Sequence, residues 1–438
     1  MKEVSHIEGS YKVFKDGALL LVAVLLAGMA GFSDRWVLGV ALASRVCFLL
    51  LCIVGDSLIV DHDAQGVTRS VEPVSWWFRA FTKWDAAHYL NIASKRGVRN
   101  EMELAFMPLF PRAVESVADL LPSSKMSRGD SLVCAGLLIN MTCFAFSSLI
   151  LTKLLKHWKV TGGLLTTAFL LHLFNPANVF FVTVYTESLY SLASWTGILL
   201  LERQQLLLAS FPLYIASSTR ANGVLNIVLP GFLLLKGLEV RPRKENSRGK
   251  IQLFFRQLPS FFATCIPYLI LDQNIHAELC RINTTYYNKK PERCGAGFSL
   301  FFHGAYSFVQ QRFWGVGFLE YYQVKQIPNF LLALPIIAAA SFTLLSRHKL
   351  IVSSSSLLRE ALFIHLFFNV VVVTLYAHVQ ISTRLLCSAS PILYLGLARL
   401  LQLLEHRKLS NLWWAIVFVL LSYNIFGCVA HINFFPFT

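Results

Sequence analysis

The chain has 438 residues, of which 55% are hydrophobic and only 14% charged, with a mean hydropathy of +0.56. That balance excludes a soluble globular domain of this length. The formal net charge of +15 would suit a nucleic-acid binder in a soluble protein, but here the basic residues crowd the short gaps between apolar runs. Lys153, Lys156 and Lys159, the segment 236–250, Arg347 with Lys349, and Arg407 with Lys408 are such gaps. Lys and Arg in short loops mark the cytosolic side of a membrane protein, so no nucleic-acid partner is expected.

The apolar runs are 36–55, 131–152, 162–182, 188–201, 205–216, 223–236, 255–271, 328–345, 360–377, 385–404 and 411–430. Many approach the ~20 residues that cross a bilayer as helix. Backbone in lipid must satisfy its own hydrogen bonds, and runs of this length are too long for barrel strands. An all-α polytopic membrane protein with about eleven transmembrane helices follows. Residues 1–35 form an N-terminal segment of open role: the run 17–32 suits a signal-anchor, an extra span or an interfacial helix, without a clear cleavage site. Residues 36–438 are read as one transmembrane domain.

Two long polar loops interrupt the runs, at about 56–130 and 272–327. Alternation from the basic gaps places both on the side opposite the cytosol, with the N-terminus cytosolic and the C-terminus lumenal. Asn283-Thr284-Thr285 in the second loop is a glycosylation acceptor usable only on that side. Asn140-Met141-Thr142 matches the same pattern inside a span and should be silent. Of nine cysteines, only Cys280 and Cys294 share a polar loop, where a disulfide is an open option. The rest lack metal-ligand spacing.

The first loop is built around Trp84-Asp85-Ala86-Ala87-His88-Tyr89, flanked by Trp76, Trp77, Phe78, Phe81, Phe106 and Phe110. On a helix Asp85 shares a face with His88 and Tyr89. Aromatics opposite polar residues suit a helix lying in the membrane interface, where a held carboxylate can serve as a general base. The same topology brings Glu187, Arg220, Asn222, His378, Gln380 and Arg384 to lumenal span ends. Each has a plain reading alone: Arg220 snorkelling to head groups, Glu187 pairing with it, His378 capping a helix. Convergence on one membrane face points to a cavity or substrate path. Asp61-His62-Asp63 has the form of a metal-binding acidic motif, but it lacks supporting carboxylates nearby, and no metal is expected.

Several longer motifs occur in order: Trp84-Asp85; Ala105-Phe106-Met107-Pro108-Leu109-Phe110-Pro111; Phe174-Asn175-Pro176-Ala177; Tyr185-Thr186-Glu187-Ser188-Leu189; Ser218-Thr219-Arg220-Ala221-Asn222-Gly223; Lys325-Gln326-Ile327-Pro328-Asn329-Phe330-Leu331; His378-Val379-Gln380 with Thr383-Arg384; and Asn433-Phe434-Phe435-Pro436. Together they resemble the PIG-V family over about residues 38–438. The run 17–32 and the pair His88-Tyr89, where an aromatic pair is usual, depart from that pattern.

The resemblance implies a GT-C-type glycosyltransferase of the endoplasmic reticulum membrane with a lumenal active site. Its donor would be dolichyl-phosphate mannose and its acceptor a GPI precursor bearing one mannose, which receives a second through an α-1,6 linkage. No cofactor is implied, and a small membrane partner subunit stays an open question. Inversion at the anomeric carbon needs a base, for which Asp85 is the candidate. Arg220, Arg384 and His378 are candidates to meet the leaving phosphate, with Trp84, His88, Glu187, Asn222 and Gln380 lining the substrate site. Another dolichol-phosphate-sugar-dependent transferase and a sugar-lipid transporter are the alternatives. A transporter would hold its polar residues near the membrane midplane.

Overall fold

The structure, a computed structural model, describes residues 32–62, 72–95, 97–98, 100–122, 125–239, 247–281, 304–350, 357–435 and 437. Asp63, Asn283 and Cys294 lie outside them, and so do the segment 17–31 and residues 282–303 of the second polar loop. Cys280 is disulfide-bonded.

Among the described residues the chain is helical, with no strand. The first span, α1 (Asp34–Leu58), starts where the Ser33 hydroxyl accepts the Trp36 N–H at 3.3 Å. This is the usual cap for an otherwise unpaired donor. The first loop folds as short pieces: a 3-10 turn over Trp76–Phe81, α2 (Asp85–Ser94), a second 3-10 turn over Glu101–Ala105 and α3 (Leu109–Asp119). They are seated on the start of α4 (Arg128–His157), because Asp130 accepts both the Ser75 N–H and the Ser75 hydroxyl at 2.7 Å. The far end of α4 is basic, and its Lys153 pairs with Asp34 at 3.1 Å.

The expected span 162–182 is not one helix. It is α5 (Gly162–Leu173), a break, and α6 (Asn178–Val182). Pro176 has no N–H to donate back to the preceding turn, and Asn side chains meet the groups this frees. Asn175 accepts the Ala177 N–H at 2.9 Å, Asn178 donates to the Leu173 carbonyl at 3.0 Å, and Asn424 donates to the Phe174 carbonyl at 2.8 Å. Non-helical backbone at membrane depth survives only when partnered in this way.

An antiparallel hairpin follows, α7 (Glu187–Glu202) and α8 (Leu206–Thr219), then a 3-10 turn over Ala221–Ile227, α9 (Val228–Glu239) and α10 (Ser247–Arg281). Gly223 closes the turn after α8: a Cβ there would lie 2.5 Å from the Ser217 Cα, so no larger residue fits. Beyond α11 (Ala305–Trp314) come α12 (Ile327–Leu345) and α13 (Leu357–Leu375). The expected span 385–404 is also broken. α14 (Ser382–Ala389) and α15 (Pro391–His406) meet at 96°, with Pro391 opening the second helix. The last helix is α16 (Ser410–Ile432).

Five described helices are long and apolar enough to cross a membrane alone, and six if the bent pair counts as one span. Three other apolar helices are shorter, Gly162–Leu173, Leu206–Thr219 and Ala221–Leu235: α5, with 12 residues, is about 18 Å long at 1.5 Å per residue, against a core of about 30 Å.

Candidate active site

Trp84 immediately precedes α2 with φ 56° and ψ −130°, a conformation that a residue with a side chain adopts at a cost of about 1–3 kcal/mol. Its indole is fastened on the opposite side of the chain. The Nε1–H donates to the His431 carbonyl at 3.0 Å, and the ring lies 5.5 Å from that of Phe434. This turn places Asp85 at the first position of α2, where the helix dipole favours a negative charge. The Asp85 N–H donates to the Tyr185 hydroxyl at 3.1 Å.

The Asp85 carboxylate meets Arg384 across the site, Oδ2 to Nη2 at 2.8 Å. Arg384 reaches it because the bend at Ser390 swings α14 onto α7, where the Ser191 hydroxyl donates to the Ser388 carbonyl at 3.0 Å. The Arg384 Nε lies 3.2 Å from Glu187 Oε1, and the same carboxylate oxygen pairs with Arg220 Nη1. Arg220 ends α8 beside the start of α7, and its Nε donates to Asn222 Oδ1 at 3.1 Å. Asp85, Arg384, Glu187 and Arg220 thus form a chain of alternating sign, with a net charge of zero. Such pairing is the condition for burying charge. The Arg384 guanidinium also lies over the rings of Phe180 (5.2 Å) and Tyr185 (5.3 Å).

Accessibility is greatest at the Asp85 end of the chain. The Asp85 side chain is 30% exposed, Arg384 15%, Arg220 9% and Glu187 0%. Asp85 is therefore the most accessible member of the network. Burial pushes its carboxyl upward, but the charge and hydrogen bond of Arg384, aided by His88 and His431, outweigh that and hold it below the usual value of 3.8. Asp85 is ionised at neutral pH and can accept a proton, while Arg384 moderates its basicity.

His88, one turn after Asp85, stacks on Phe106 at 5.0 Å, and Tyr89 meets Phe106 at 5.1 Å and Phe110 at 5.4 Å. The Ala105–Pro111 motif therefore supplies the aromatic floor of α2. His378 and Gln380 belong to a separate knot. His378 stacks on Tyr321 at 4.3 Å, the Tyr321 hydroxyl donates to Gln380 at 2.6 Å, and Asn329 donates to that hydroxyl at 2.8 Å. The Lys325–Leu331 motif thus builds the knot, whereas the expectation was a direct substrate contact from His378 and Gln380. Asp61 is held by Lys83 at 2.6 Å, and Lys83 also reaches Asp56 at 3.2 Å. Sequence reasoning missed Lys83, Asp56, His431 and the role of the Tyr185 hydroxyl. The sequence signals were a lysine directly before Trp84-Asp85 and a histidine at the end of the last span.

This arrangement defines a multi-helix membrane enzyme whose general-base candidate sits at the mouth of a buried ion chain. The family described as mannosyltransferase (PIG-V) matches residues 37–438, and the chain belongs to it: it is a mannosyltransferase. GPI mannosyltransferase 2 of Drosophila pseudoobscura pseudoobscura is 26% identical, covering 91% of this chain and 98% of that one. GPI alpha-1,6-mannosyltransferase 2 of Homo sapiens is 26% identical over 87% of each chain. Among solved structures, the apo form of the Archaeoglobus fulgidus oligosaccharyltransferase is similar at a TM-score of 0.45 and 11% identity, over 92% of this chain and 56% of that one.

Proposed function

We propose that this enzyme transfers an α-1,6-linked second mannose from dolichyl-phosphate mannose to a GPI precursor carrying one mannose. The reaction takes place at the lumenal face of the endoplasmic reticulum membrane, in a GT-C-type fold, with Asp85 as general base. Asp85 carries the reading: an ionised, accessible carboxylate at a helix N-terminus, opposite a guanidinium. The names of the full-length relatives support the acceptor and the linkage. Alternation of the apolar segments supports the lumenal side, with 162–182 and 385–404 crossing as broken spans rather than straight ones.

In the transfer, the acceptor hydroxyl attacks the anomeric carbon and its proton passes to Asp85. The bond from that carbon to the donor phosphate breaks, and dolichyl phosphate leaves with the electron pair. The anomeric centre is oxocarbenium-like at the transition state. Charge grows on the phosphate as it leaves, and a guanidinium is suited to meet it. Arg384 lies closest to Asp85 for that role. As the phosphate draws Arg384 away, Asp85 loses the interaction that keeps its basicity low, just when a base is required. This chemistry assigns no step to a metal ion or cofactor.

Lipid analysis of cells lacking the chain tests the reading: a one-mannose GPI precursor should accumulate. Restoring wild type should clear it, whereas Asp85→Asn at normal abundance should not, since loss of a general base costs about 10²–10⁴-fold. Accumulation of a different precursor would overturn the acceptor assignment, and clearance by Asp85→Asn would overturn the base.

A further inference from the structure

The end of the chain packs against the opening of α2. His431 lies edge-on to Phe180 at 4.9 Å and to Tyr185 at 5.4 Å, while its carbonyl holds the Trp84 indole. Phe434 takes the Trp84 ring on one side and the Lys83 ammonium, 4.9 Å from its centroid, on another. The Asn433 carbonyl accepts the His62 N–H at 2.8 Å, and the His62 ring stacks on Phe435 at 5.3 Å. The Trp84–His431 contact joins residues 347 positions apart. The contacts of His431 and Phe434 converge on Trp84, directly before Asp85, the one non-glycine residue with positive φ among the described residues of this loop.

A strained backbone persists only where its surroundings over-determine it. Locally the Trp84 carbonyl accepts the Ala87 N–H at 3.0 Å, but the Trp84 side chain makes no hydrogen bond to its own helix, so its side-chain anchorage comes from the terminal turn. We propose that the terminal turn His431–Phe435 is a positioning element of the transfer: by gripping Trp84 it fixes where the Asp85 carboxylate points. The proposal rests on the reading of Asp85 as the base. His431 and Phe434 touch no substrate in it and act only through Trp84. Released, Trp84 relaxes toward ordinary backbone angles, α2 rotates at its first turn, and Asp85 shifts relative to Arg384 and the acceptor. A misplacement of about 1 Å at a reacting group costs up to about 10²-fold in rate.

The test is steady-state mannosyl transfer in microsomes with dolichyl-phosphate mannose and the one-mannose acceptor, normalised to the amount of enzyme. Phe434→Leu should lower kcat about tenfold or more while the donor KM changes less than about twofold. Phe434→Tyr, which keeps the ring, should restore the rate. Trp84→Phe removes the indole N–H and one of the two fused rings but keeps an aromatic side chain, so it remains informative if Phe434→Leu accumulates poorly; its kcat should fall also. The Trp84→Phe, Phe434→Leu double variant should lose less than the product of the single losses, because both act on one grip. Wild-type kcat in Phe434→Leu and Trp84→Phe, or losses confined to abundance, would overturn the proposal. Asp85→Asn run alongside separates the two failures: if it retains transfer the base assignment falls, and if it alone loses transfer only the positioning role falls.

Discussion

Two arginines of the transmembrane body, Arg384 and Arg45, have surroundings that differ in kind. Arg384 sits between two carboxylates, with Asp85 at 2.8 Å and Glu187 at 3.2 Å, and remains 15% exposed. Arg45, in α1, is fully buried. It donates to the Leu173 carbonyl at 2.7 Å and lies 3.7 Å over the Phe144 ring and 4.9 Å over Phe48. The groups it reaches are a carbonyl freed by the break after α5 and the faces of aromatic rings. The first arginine has exchangeable partners and a route outward; the second closes a broken helix that lipid would otherwise leave unsatisfied. A buried charge is thus a sign of function only when its partners can change during the reaction.

Arg384→Gln should separate the two arginines most sharply. It leaves Asp85 and Glu187 without their shared cation and the phosphate without its nearest guanidinium, so kcat should fall about 10²–10³-fold. The pH profile should move as well. In wild type Arg384 holds the Asp85 pKa below the usual 3.8, so the base stays ionised, and both its activity and its contribution to stability are lost only as pH falls below 3.8 through that lowered pKa. With Arg384 gone, burial dominates, and the acid limb of the residual activity should shift to higher pH. An unshifted limb would mean that Arg384 does not set the state of Asp85.

Arg45→Leu should behave in the opposite way. The Leu173 carbonyl loses one of its two partners, destabilising the fold by about 1–3 kcal/mol. Abundance and thermal stability should drop, while the specific activity of the surviving enzyme stays within about twofold. A selective loss of kcat at normal abundance would put Arg45 in the reaction and dissolve the distinction.

Arg220→Lys asks whether the deeper end of the ion chain acts on the donor. A lysine retains charge but cannot span Glu187, Asn222 and Thr186 as the guanidinium does. The expected outcome is a several-fold rise in the KM for dolichyl-phosphate mannose, partly recovered at high donor. Glu187→Gln combined with it should be non-additive, because the two share a partner. Wild-type kinetics would return Arg220 to a membrane-anchoring role. The smallest expected effect is that of a chelator, which should leave transfer within about twofold; full loss, restored by manganese, would promote Asp61 and Asp63 to ligands.

The site was partly legible before any coordinates. Asp85, Glu187, Arg220 and Arg384 stand out because charge at a span end is costly, and each position therefore asks for a reason. His378 and Gln380 met the same criterion and turned out to pack on Tyr321, since residues a few places apart around a 3-10 turn point in different directions. The strained Trp84 was invisible: nothing in the residue type announces φ 56°, which arises from contacts with His431 and Phe434.

By itself the sequence determined the class of protein, because hydropathy sums over local residues and lipid admits few backbone solutions. It also determined the family, carried by ordered motifs along 37–438. Only the tertiary structure decided that two apolar runs are broken at Pro176 and Pro391. A hydropathy pattern cannot show whether partners exist to satisfy the freed carbonyls; here Asn178 supplies one from within the break, and Asn424 and Arg45 supply others from distant segments. Likewise only the fold decided that the four charges of the site pair in alternating order. Electrostatic energy depends on distances of about 3–4 Å between groups; the Glu187–Arg220 pair was expected from nearby span ends, but Asp85 and Arg384 lie 299 residues apart in the chain.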